Sequence, residues 1–125
     1  MKIAVCVNHV PDTASKIYVG DDQKSARHDG LVFVVNPYDE YAIEEALNVK
    51  EAVSGEVVII SVGSEINKES IKKALAMGAD SAVLLTDDKP RDSYGIAKAL
   101  ADEQKRRALA QARTAKIFKI EIDEI

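Results

Sequence analysis

The chain has 125 residues, enough for one domain with a single core. Apolar residues make up 46% and charged residues 30%, which excludes a disordered chain. The formal net charge of -4 argues against general nucleic-acid or acidic-membrane binding.

Residues 3–7, Ile-Ala-Val-Cys-Val, form a short apolar run of the kind found in a strand buried on both faces of a parallel sheet. The run is too short for a signal peptide or a membrane span. Cys6 is the only cysteine, so no intramolecular disulfide can form. Together these features predict a cytoplasmic protein in a reducing compartment. Pro11-Asp12-Thr13 predicts a loop, and Lys16–Val19 and Leu31–Val35 predict two strands around a polar connection. Residues 37–53 follow helical spacing, with Ala42, Ile43, Ala46, Leu47 and Val53 near one face. Ser54-Gly55 ends that helix.

Val57–Val62 is a second buried run, closed by Gly63-Ser64. Asn67–Met77 predicts a second helix, capped by Gly78. Ala82–Leu85 is a third buried run, followed by Thr86-Asp87-Asp88. A third helix starts near Asp92-Ser93 and runs unbroken to Arg113. Lys105, Arg106, Arg107, Arg113 and Lys116 are expected on a solvated face. The alternation of strand and helix predicts an α/β fold, a three-layer sandwich with a mainly parallel sheet, in one domain over residues 1–125. In the tail, Phe118, Ile120 and Ile122 alternate with Lys119, Glu121 and Asp123. That period of two suits an antiparallel edge strand with one face in water. Residues 115–125 are therefore a candidate homodimer contact through an open sheet edge.

In open α/β sheets, ligands sit beyond the carboxyl ends of the strands. Four such ends are polar: Asn8-His9, Asn36-Pro37, Gly63-Ser64 and Thr86-Asp87-Asp88. Asn36 suits the N-cap and Pro37 the first helical position. Asp39 and Glu40 suit the positive end of the helix dipole, and they would repel a bare phosphate there. An adenine or ribose contact to Asn36 fits better. Cys6 is expected as a small buried apolar residue. His9 and His28 lack paired ligand spacing, so no metal site is expected. The first strand-turn has no G-x-G-x-x-G, and there is no P-loop and no G-x-S-x-G elbow. No catalytic constellation stands out.

The stretches MKIAVCVNHVPDT, VVNPYDEYAIEEAL and KKALAMGADSAVLLTDD occur in an order and spacing that resembles the N-terminal part of the electron transfer flavoprotein beta subunit. The resemblance covers residues 1 to about 102; residues 103–125 diverge from it. It implies an adenine-nucleotide alpha-hydrolase-like fold, akin to universal stress proteins. It also implies bound AMP or FAD, an alpha-subunit partner, and a role in electron transfer without acid–base residues of the chain's own. The resemblance places the nucleotide against Cys6, against Asn36, Pro37, Tyr38 and Asp39, and against Val62. A later Gly- and Asp-rich loop, which holds the phosphates in the family, has no counterpart here, so a truncated or divergent subunit is expected. Two alternatives stay open: a nucleotide-independent interaction module, or a stress-protein-like AMP or ATP binder that dimerises.

Overall fold

The computed structural model describes residues 1–113. The expected strand in the tail, the 115–125 homodimer contact and Lys116 lie outside the described residues. Five strands and three helices follow in order: β1 (Lys2–Cys6), β2 (His9–Pro11), β3 (Phe33–Val35), α1 (Pro37–Val53), β4 (Glu56–Gly63), α2 (Lys68–Met77), β5 (Ser81–Thr86) and α3 (Ser93–Arg113). β1, β4 and β5 form a parallel sheet in the order β1-β4-β5. β2 and β3 form a separate antiparallel ribbon. The expected α/β fold with a mainly parallel sheet is present.

Alternation along the strands builds two layers of packing. Val5, Val57 and Ile59 face one way and pack with Ile43 and Ala46 of α1 and Ile71 and Ala74 of α2. Val58 and Ile60 face the other way, toward Gln104, Arg107 and Ala108 of α3. Both faces of β4 are therefore covered, which explains its continuous apolar run. Ile43, Val57 and Ile59 are fully buried. Each such side chain contributes roughly 1.5–3 kcal/mol on burial.

Polar ties fix the ends of the elements. Asp80, between α2 and β5, accepts the Val57 N–H at 2.8 Å through one carboxylate oxygen. Its other oxygen accepts from Lys50 of α1 at 2.7 Å, and Lys50 also donates to the Gly78 carbonyl at 3.0 Å. The lysine holds the Asp80 carboxyl below the ordinary value, against an opposing effect of burial; the Val57 N–H adds to the lowering. α1 ends at Val53, and its C-cap is Ser54 rather than Gly55, with Ser54 itself in the left-handed conformation (φ 52°).

Three expectations fail, each for a physical reason. Lys16–Val19 does not form a strand. Ile17, Tyr18 and Val19 are 60–71% exposed, and only Val19 makes an isolated bridge, to Ala26. The place beside β3 is taken by His9–Pro11, which the proline marked as loop. Pro11 pairs only at the end of this two-stranded ribbon, where its missing N–H is tolerated. Cys6 is exposed rather than buried, because β1 is an edge strand among the described residues. The basic run of α3 is not wholly solvated. Glu103, only 7% exposed, accepts from Arg106 at 2.7 and 2.8 Å and from Arg107 at 2.9 Å.

Among the described residues, no helix is long and apolar enough to cross a membrane.

Candidate functional site at the strand ends

α1 begins where the sequence marks it. Asn36 caps the helix, its Oδ1 accepting the Tyr38 N–H at 3.3 Å, and Pro37 occupies the first helical position. The Asn36 N–H donates to the Asn8 carbonyl at 3.0 Å, and the Asp39 carboxylate accepts the Asn8 N–H at 2.7 Å. The two hydrogen bonds tie the first turn of α1 to the residues that follow β1. With Oδ1 committed to the cap, the Nδ2 amide donors are the part of Asn36 that can serve a ligand.

Beside this junction lies an open recess of about 170 Å³. It is lined by Cys6, Val7 and Asn8 after β1, Asn36 and Asp39 at the start of α1, Val62 near the end of β4, and Ile96 and Leu100 of α3. Four of the six expected site residues, Cys6, Asn36, Asp39 and Val62, meet here from three distant parts of the chain. Pro37 and Tyr38 adjoin the recess along α1 without lining it, and Tyr38 is 81% exposed. Asn8 belongs to one of the four polar strand ends that the sequence offers for a ligand, while Ile96 and Leu100 carry only an ordinary helical apolar pattern and give no local sign of lining the recess.

Val62 is held from behind. Buried Asn67 donates to the Val62 carbonyl and to the Ser61 hydroxyl, both at 3.2 Å. Gly63 makes room for that amide, since a Cβ there would lie 2.5–2.7 Å from the Asn67 side chain. Asn67 thus acts on the recess through Val62, and only the packed structure reveals it.

The electrostatics favour a neutral or hydroxyl-rich ligand group. Among the described residues the lining carries one carboxylate, Asp39, and no lysine or arginine. The Cys6 thiol is pushed above its ordinary value, first by the partial burial of its sulfur beneath α3 and second by the charge of Asp39. The sulfur lies 4.0 Å from the Gln104 amide nitrogen. Though the residue is open along the sheet edge, its sulfur is set to stay a thiol. A recess of this size is below the roughly 300–1,000 Å³ of a complete small-molecule pocket. Its polar groups are the Asn36 amide donors and the Asp39 carboxylate, and among the described residues it offers no cation.

A second cluster lies on the far side of the ribbon. Nδ1 of His9 and the Ser70 hydroxyl share a hydrogen bond of 2.6 Å, and the His9 ring stacks on Phe33 with centroids 5.2 Å apart. His28 meets the same ring edge-on at 5.8 Å. Burial lowers the His9 pKa, against a smaller opposing effect of Glu69. This cluster docks the ribbon on α2.

The family model described as "Electron transfer flavoprotein domain" matches residues 25–116. An electron transfer flavoprotein subunit beta of Syntrophomonas wolfei is 39% identical over 103 residues, covering 82% of this chain and 40% of that protein. The same subunit of Bacillus subtilis is 38% identical over 104 residues, covering 80% of this chain and 39% of its own length. A protein FixA of Sinorhizobium fredii is 38% identical over 107 residues, covering 81% of this chain and 37% of its own length. The chain thus spans about two fifths of the length of these relatives. On the family match and on the identity with these beta subunits, the chain belongs to the electron transfer flavoprotein family.

Proposed function

We propose that this chain is the nucleotide-binding N-terminal part of an electron transfer flavoprotein beta subunit, taking the adenosine group of AMP or FAD at the recess beside Asn36. The observation that carries the reading is the convergence of Cys6, Asn36, Asp39 and Val62 on one recess at the carboxyl ends of parallel strands. That is the position where open α/β sheets bind ligands. The parallel order β1-β4-β5, with helices on both faces, supports placing the fold with the adenine-nucleotide alpha-hydrolase-like domains. A flavin, where bound, supplies the electron-accepting chemistry. The residues of the chain bind and orient the nucleotide. Asn36 gives amide donors, Asp39 accepts from hydroxyls, and Ile96 and Leu100 give an apolar wall. An alpha subunit is the partner that this role requires, and a cytoplasmic location follows from it.

Calorimetric titration with adenosine, AMP and FAD tests the reading. Adenosine and AMP are expected to bind within a few-fold of one another, because the lining holds no phosphate-binding cation among the described residues. Val62→Trp, which fills the recess, is expected to abolish both. No heat with any of the three at millimolar concentration overturns the nucleotide reading and leaves only the family membership.

A further inference from the structure

Asn8 lines the recess and is strung between two anchors. Before it, the Val7 N–H donates to the Ile60 carbonyl of β4 at 2.9 Å. After it, His9 shares its 2.6 Å hydrogen bond with the Ser70 hydroxyl of α2. Both hydrogen bonds that tie the end of β1 to the first turn of α1 run to the Asn8 backbone. Its N–H donates to Asp39 and its carbonyl accepts from the Asn36 N–H. Asn8 and Asn36 thus form the rung beside the His9–Val35 pair of the ribbon. The two strands of that ribbon are held differently. Val35 is 2% exposed within the core, so β3 keeps its place by packing. β2 is three residues long and each is only partly buried, so it depends more on its polar anchor.

That anchor holds a neutral ring. Ser70 is 2% exposed, and Nε2 of His9 is buried without a hydrogen-bond partner. With the ring proton on Nδ1, Nε2 keeps only a lone pair. A second proton would put an N–H and a positive charge at Nε2, where no acceptor meets it. Among the described residues, the titratable groups around the ring are Glu69 and Lys73 of α2 and, across Phe33, His28. β3 brings only Phe33, Val34 and Val35. Lys73 is paired with Glu40 of α1. Glu69 attracts an added charge on the ring, but less strongly than burial opposes it.

We propose that His9 is a positioning residue for the recess: its neutral ring, bonded to Ser70 and stacked on Phe33, holds Asn8 in place, and its protonation frees β2 from α2. Asn8 then loses one of its two anchors, and with it the fixed placement of its bonds to Asp39 and Asn36. A ligand held at Asn36 is released more readily on the acid side. That consequence rests on the nucleotide reading; the release of Asn8 does not.

Amide hydrogen exchange of the full chain, read by NMR as protection factors that remove the intrinsic effect of pH, tests it without a ligand. Between pH ~7.5 and ~5.5, protection of the Asn8 and Asn36 N–H groups is expected to fall about three- to tenfold, the upper limit being that of a released histidine of pKa 6.5. The Asp87 N–H, bonded to the Gly63 carbonyl at another strand end, is expected to keep its protection. His9→Phe keeps a ring against Phe33 without a titrating nitrogen, and is expected to abolish the fall. Ser70→Ala is expected to lower protection at Asn8 and Asn36 by about fivefold at the higher pH, through loss of one hydrogen bond. No fall at Asn8 and Asn36 in the unsubstituted chain overturns the proposal. So does an equal fall at Asp87, since the whole domain then opens. A fall that survives His9→Phe overturns it too, and assigns the effect to another titratable group such as His28. Protection unchanged by Ser70→Ala refutes the anchor itself.

Discussion

The tightest packing behind the candidate site is at Gly63 and Asn67, and it gives a quantitative test. A Cβ at Gly63 would fall 2.5 Å from Asn67 Nδ2, 2.6 Å from Oδ1 and 2.7 Å from Cγ. Asn67 is 7% exposed and held by two hydrogen bonds, so it cannot swing aside freely. Overpacking of this kind costs about 1–3 kcal/mol. Asn67→Ala removes the bonds to Ser61 and Val62, at about 1 kcal/mol each. It leaves the fully buried Ser61 hydroxyl without that donor. The three atoms nearest the new Cβ all lie beyond Asn67 Cβ, so Asn67→Ala removes this steric obstacle to Gly63→Ala and leaves only the backbone strain of an alanine at φ 156°. The double variant should therefore fall short of the additive sum by a coupling of roughly 1.5–2 kcal/mol, the clash term, while the strain of the alanine persists in both backgrounds. Urea unfolding of the four proteins measures it, and the unfolding slope must stay constant across the cycle. Additive costs, within about 0.5 kcal/mol, would refute the claim that Gly63 is required by the Asn67 amide.

Three further outcomes are expected. Asn36→Ala should lower stability by about 1 kcal/mol through loss of the cap, measured by urea unfolding, whether or not the residue serves a nucleotide. The lowered His9 pKa means that the unfolded chain takes up a proton more readily than the folded one. Stability should thus be full above the ordinary histidine value of 6.5 and fall as pH drops through it, and His9→Gln should flatten that part of the curve. Cys6 should alkylate with iodoacetamide at about pH 8 more slowly than a small thiol of ordinary pKa, and Asp39→Asn should raise the rate a few-fold. Reaction as fast as the free thiol would show that neither burial nor Asp39 holds the proton on.

The elements that the sequence announced are those whose local and tertiary demands coincide. α1 carries an Asn-Pro start, acids in its first turn and a helical apolar stripe, and all three survive packing. β4 is continuously apolar from Val57 to Ile60 because it has a helix layer on each face. Legibility failed where a pattern depends on neighbours. The run at Lys16–Val19 has strand composition but no partner, while His9–Pro11 has a partner and a misleading proline. The site divides in the same way. Asn36 is visible locally as a helix start, whereas Cys6, Asp39 and Val62 enter the site through the family resemblance, their local signals being those of a buried strand residue, a helix-dipole acid and a buried run. Ile96 and Leu100 reach the recess only because α3 crosses the opposite face of the sheet, which the register of apolar residues within one helix cannot convey. The same holds for Glu103, whose burial with Arg107 turns an apparently solvated charge pair into an interior one.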